Sequence, residues 1–321
     1  MAALVVVVLA VAGAFSDDGD DAPSDPTTTP VPAQESDMPD GEPAATAKPE
    51  TTTVRVGGRP TAISTGIEGV WVADSFSSQA RLVEGTREEP IAFRLRGAAT
   101  DVSTTETGAY FALPEQQAVE RRELEDPQAA GEQIDLEGFP SVLAGADGVV
   151  YALSDRAVEA IDVDTGEVVD EFRLDGFGSG LAVGDDHVWA AVDNREVVRI
   201  DPASGEIDGD PVPVPEVFAV AADGGFVWAL AASGELTRIA PETLEATVAP
   251  QPVRDALDVA VGLGSVWVTS SRRSVTRLDP GTLEPRGDAL PVGDEPASVS
   301  VGDEAVWVAN GGDGTLTRIE P

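Results

Sequence analysis

The chain has no cysteine, one histidine and one lysine among its 321 residues, and each shortage removes a class of chemistry. Without cysteine there is no disulfide, no thiol nucleophile, no cysteine-ligated zinc and no lipid anchor attached through a lipobox. Lys48 is the sole lysine, so the other 19 basic residues are arginine, set against 58 acidic ones. The formal net charge of −38 makes nucleic acid and anionic lipid poor partners. Residues 1–51 hold only ten of the acidic side chains, so the remainder stays near −29. Such a surface serves solubility or adaptation to salt, and it attracts cations or a basic partner.

Long apolar runs are also scarce. Ala2–Phe15 is apolar or glycine throughout its 14 residues and is followed by Ser16-Asp17-Asp18-Gly19-Asp20-Asp21. A free-standing span needs about 20 apolar residues, and a signal peptide carries Lys or Arg before its apolar run. Here only Met1 precedes it, so the expectation for residues 1–15 is a signal peptide or membrane anchor, with an upstream segment missing as one explanation. Ala12-Gly13-Ala14 offers a cleavage site, and the protein is expected outside the cytoplasm, either membrane-anchored or secreted. Residues 16–51 are rich in Asp, Pro, Thr, Ala and Glu and cannot bury enough apolar surface to offset the entropy of ordering, so they read as a disordered linker.

The rare large aromatics carry the main signal. Every tryptophan and tyrosine, namely Trp71, Tyr110, Tyr151, Trp189, Trp228, Trp267 and Trp307, recurs at gaps of 39, 41, 38, 39, 39 and 40 residues. Seven copies of a unit this long match four-stranded propeller blades. Around each aromatic runs a short strand such as Val188-Trp189-Ala190-Ala191, here strand B. About eight residues earlier lies strand A, usually ending in a glycine such as Gly184 or Gly262, and about ten residues later lies strand C, as in Leu236-Thr237-Arg238-Ile239. Turns such as Asp201-Pro202-Ala203-Ser204-Gly205 lead to strand D. The seventh unit ends after strand C, whereas Thr52–Val56 is a lone strand upstream of the first strand A. The expectation is an all-β, seven-bladed propeller over residues 52–321, closed by that N-terminal strand donated to the last blade.

Elements such as Val306-Trp307-Val308-Ala309-Asn310, Thr317-Arg318-Ile319 and the turn at Val301-Gly302 resemble the YVTN/NHL-like bacterial propellers. That group includes streptogramin B lyase-like proteins and receptor-kinase sensor propellers. The resemblance covers residues 52–321 and implies a propeller fold in a group that mixes ligand-binding modules with a few lyases; the expected role is a non-enzymatic ligand-binding or protein-interaction sensor module. Two alternatives stay open: a lyase of the streptogramin B lyase-like type, and the sensor domain of a truncated receptor kinase. In the lyases the resemblance implies a histidine general base with acidic and metal-assisting partners on the top face of the ring. The one histidine here, His187, stands two residues before Trp189, on the side of the A–B turns. No catalytic residue is therefore carried over, serine-hydrolase triads lack a usable histidine, and no metal or cofactor is assigned.

Asp162-Val163-Asp164-Thr165-Gly166 resembles half of a calcium loop, but the next copy places Asp201-Pro202-Ala203-Ser204-Gly205 there, which reads as a turn. Arg81, Arg121, Arg199, Arg238, Arg277 and Arg318 recur in strand C and read as blade-building residues. A binding site should instead break the symmetry. Twelve residues before the aromatic the copies carry Arg59, Ala98, Phe139, Phe177, Glu216, Asp255 and Glu295, which sorts two phenylalanines from three carboxylates. Asp101 and Asp258 stand nine before the aromatic, where small residues prevail. Together, Arg59, Phe139, Phe177, Glu216, Asp255, Glu295, Asp101 and Asp258 form the candidate top-rim site for a small cationic ligand or a basic peptide or protein, on a chain expected to be monomeric.

Overall fold

The computed structural model describes residues 49–85, 89–146, 148–184, 186–223 and 225–321. The expected signal or anchor segment and nearly all of the expected linker lie outside these residues. Seven four-stranded antiparallel sheets follow one another around a ring. In blade 1 the strands are Ala62–Gly66, Gly69–Ala73, Gln79–Val83 and Ile91–Arg94, strands A to D from the axis outward. Blades 2 to 6 repeat the order, with strands A at Asp101–Thr104, Pro140–Ala146, Gly178–Gly184, Val217–Asp223 and Ala256–Gly262. Helix among the described residues amounts to one short turn, Pro114–Gln116.

Blade 7 takes strands A to C from Pro296–Val301, Val306–Asn310 and Thr315–Glu320, and strand D from Glu50–Arg55. The closing strand starts two residues before the expected Thr52, because Glu50 and Thr51 continue the ladder opposite Glu320 and Ile319. Closure pairs the edge that strand C would otherwise present to solvent. Near the axis, hydroxyl groups tie the seam: Ser64 Oγ lies 2.8 Å from Thr104 Oγ1, and Thr65 Oγ1 lies 2.9 Å from Ser300 Oγ. These contacts join blade 1 to blades 2 and 7.

Each repeat aromatic fills the space between its own blade and the next, because neighbouring sheets bury their apolar faces only against one another. Trp189 packs with Val220, Val227 and Ile239 of blade 5, and Trp267 packs with Val299, Val306 and Ile319 of blade 7. Six of the seven aromatics are buried, and Trp307 is half-buried against Ile63, Val70 and Val72 of blade 1.

The strand C arginines bridge blades at the outer end. Arg199 and Arg277 lie over Trp189 and Trp267 at 6.0 and 5.3 Å, while Arg238 lies over Phe226 at 4.6 Å. Arg199 Nη1 donates to the Pro241 carbonyl at 2.5 Å and Arg238 Nη1 to the Pro280 carbonyl at 2.7 Å, each in the C–D turn of the following blade. Arg81 departs from this pattern. It pairs with Val72 where its counterparts pair with the aromatic, so the two-residue strand period turns it to the other face. The Asp162 and Asp201 segments are turns: Asp162 Oδ1 accepts from the Thr165 amide at 2.8 Å, and Asp201 Oδ1 from the Ala203 amide at 2.9 Å.

Candidate functional site

The D–A connections and B–C loops share one end of the blades, the top face. In blades 4 to 7 the amide four residues after the aromatic donates to the carbonyl of the residue twelve before it. The pairs are Asp193 to Phe177 at 2.8 Å, Ala232 to Glu216 at 2.9 Å, Ser271 to Asp255 at 3.0 Å and Gly311 to Glu295 at 2.9 Å. Glu216, Asp255 and Glu295 adopt left-handed backbone angles, φ 61°, 55° and 49°. An L-residue there costs roughly 1 kcal/mol, which the repeated hydrogen bond offsets. The candidate rim residues of blades 5 to 7 thus share one backbone geometry, and Phe177 shares their hydrogen bond.

Their charges are not uniform. Glu295 pairs with Arg59 at 2.7 Å across the seam between blades 7 and 1, and Asp255 pairs with Arg272 of its own blade at 2.6 Å. Asp294, beside Glu295, faces Arg273 at 3.6 Å. Two of the three successive carboxylates are therefore neutralised by arginines from neighbouring loops. Glu216 is exposed and makes no ion pair among the described residues.

Phe139 and Phe177 stand on adjacent blades, 51% and 58% exposed. The Arg156 guanidinium lies 4.9 Å from the Phe177 ring, and the Phe177 amide donates to Asp193 Oδ1 at 2.8 Å, which pins the loop beneath the ring. A third exposed ring, Phe76, carries Arg59 at 4.2 Å. It lies in the B–C loop of blade 1, away from the fixed repeat position, so periodicity gives no signal for it. Asp74 holds that loop by accepting from the Arg59 and Phe76 amides at 3.1 and 3.0 Å. Gly58, at φ 67°, lets the chain pass there, since a Cβ would come within 2.7 Å of Arg81 Nη2 and 2.8 Å of Asp74 Oδ2.

Asp101 and Asp258 do not belong to the exposed rim. Both are fully buried, and each carboxylate ties strand A of its own blade to strand A of the next. Asp101 accepts from the Val102 and Leu143 amides, both at 2.8 Å, and Asp258 from the Val259 and Val299 amides at 2.8 and 2.9 Å. Burial pushes both carboxyl groups well above the ordinary aspartate value of 3.8. Position in the repeat alone does not separate a lip residue from an inter-strand tie.

His187 lies at the opposite end of blade 4, with Nε2 3.6 Å from the Asp208 carboxylate that Arg199 holds at 2.5 Å. Among the described residues no three His, Asp or Glu side chains are grouped to hold a metal ion. No helix among them is long and apolar enough to cross a membrane.

No protein-family model and no curated protein sequence matches the chain. Solved structures do. Virginiamycin B lyase from Staphylococcus aureus superposes with a TM-score of 0.73 at 16% identity, covering 85% of this chain and 100% of that one. Kuenenia stuttgartiensis hydrazine synthase gives 0.71 at 15%, covering 88% and 99%. The WD40 domain of Neurospora crassa Pan2 gives 0.69 at 15%, covering 82% and 90%. Two enzymes and a WD40 domain on one architecture mean that the fold by itself assigns no activity. The chain is a seven-bladed β-propeller that shares its fold with the streptogramin B lyase-like propellers.

Proposed function

We propose that the protein is a non-enzymatic, extracytoplasmic binding module whose top rim over blades 3 to 5 takes a small cationic amphipathic ligand or a basic peptide. The observation that carries this reading is the row of Phe139, Phe177 and Glu216 on consecutive blades, two half-exposed rings beside an exposed carboxylate without an ion pair among the described residues. Covering each ring contributes on the order of 1 kcal/mol, and the surrounding negative charge draws a cation toward the face. The chain enters the disc at Glu50, opposite Glu320, at the end away from this rim. A tether through the preceding residues therefore leaves the rim facing outward.

Calorimetric titration with spermine and with a peptide of alternating arginine and leucine tests the reading. Saturable binding is expected, weakened by Phe139→Ala combined with Phe177→Ala and by Glu216→Gln, with the melting temperature preserved. Absence of binding to either probe, or equal affinity in the variants, would overturn it.

A further inference from the structure

The bottom face, away from the rim, has its own cleft. It lies between blades 5 and 6, has a volume of about 310 Å³, and is lined by Asp223, Phe226, Trp228, Val261, Gly262 and Pro280 among others. Two observations single it out.

The first is an unpartnered donor. Trp189 and Trp267 direct Nε1 to the carbonyl five residues earlier, Gly184 at 3.1 Å and Gly262 at 3.2 Å. In blade 5 that position is Asp223, and Trp228 Nε1, in a residue only 1% exposed, has no acceptor among the described residues. A buried N–H left without a partner carries a desolvation penalty that an acceptor relieves. Trp71 Nε1 also lacks an acceptor among the described residues, but its ring is enclosed edge-on by Phe93 and Phe111 in the core.

The second is a cation beside the cleft, outside its lining residues but in contact with three of them. Arg238 stacks on Phe226 and spends Nη1 on the Pro280 and Gly281 carbonyls at 2.7 and 3.0 Å. Its Nε and Nη2 have no hydrogen-bond partner among the described residues. Asp223 already has an interaction within the chain. An aromatic wall, a buried indole N–H and a planar guanidinium together match a flat apolar body that bears one carboxylate.

We propose that the cleft between blades 5 and 6 binds a small aromatic monocarboxylate, its ring against Phe226 and Val261 and its carboxylate shared by Trp228 Nε1 and Arg238. This site is independent of the rim, so its failure leaves the rim reading untouched.

Saturation-transfer NMR and calorimetry on the full chain with phenylacetate as probe, and phenylacetamide as the uncharged control, test it. Phenylacetate is expected to bind saturably and more tightly than the amide. Trp228→Phe keeps an aromatic side chain, though a smaller one, and removes the donor, and is expected to weaken binding roughly tenfold. Gly264 lines the cleft at φ 66°, and a side chain added there meets open space. Gly264→Asn suits that backbone angle, narrows the mouth without touching the core, and is expected to reduce binding as well. Phe177→Ala on the other face should change nothing. No phenylacetate binding, equal binding of acid and amide, or full affinity in both cleft variants would overturn the proposal.

Discussion

Arg59 and Glu295 are 236 positions apart in the chain and 2.7 Å apart in space. They occupy the same repeat position in the first and last blades, so their contact is a direct consequence of ring closure. Their side chains are 49% and 61% exposed, and an ion pair of that kind is worth about 0–1 kcal/mol. Arg59→Ala is therefore expected to lower stability by less than about 1 kcal/mol in urea unfolding, and less still at high salt.

The closing strand should matter far more. Removing residues 1–55 strips the partner of Thr315–Glu320 and leaves an open edge on blade 7. A lowered melting temperature and concentration-dependent association are expected by calorimetry and light scattering. A truncated chain as stable and as monodisperse as the parent would contradict the closure.

The inter-blade aromatics are expected to be cooperative anchors. Trp189→Ala removes a fully buried ring and its bond to Gly184, at a cost of about 3–5 kcal/mol. Because each ring packs on the next blade, one unfolding transition should shift as a unit by circular dichroism and by fluorescence of the remaining tryptophans.

Stability should pass through a maximum in mild acid. Burial raises Asp101 and Asp258, so the folded state holds protons that the unfolded chain has released above 3.8. Their contribution is fully present below 3.8 and is lost as pH rises through the folded values. Asp279 runs the other way, held at about 2 by the Thr282 amide, then by Arg286 and the Gly281 amide. Its contribution is present above 3.8 and is lost as pH falls toward about 2. Thermal melts between about pH 2 and 8 should therefore rise on acidification from neutrality and fall again below about 4. Asp258→Ala should flatten the neutral limb, and an unchanged limb would remove Asp258 from the account.

Much of the ring is legible in the residues alone. The spacing of Trp71 through Trp307 gives the blade count, and the absence of a strand D after Glu320 points to Thr52–Val56 as its replacement. Arg81 is not legible in this way: its face depends on how many residues the B–C loop of blade 1 holds out of the ladder, a quantity its sequence spacing from Trp71 does not reveal. The rim is legible in part. Phe139 and Phe177 follow from their position, but the pairing of Asp255 with Arg272 and the burial of Asp101 depend on neighbouring loops and strands.

Sequence by itself determined the periodic core, because burial of one aromatic and a few aliphatic residues per repeat is a local requirement that every copy must meet. Tertiary structure decided which charges among the described residues remain unpaired, which carboxylates serve as ties and which indole N–H groups lack an acceptor there. Those outcomes depend on side chains from different blades meeting at ångström distances, and closure of the ring alone brings them together.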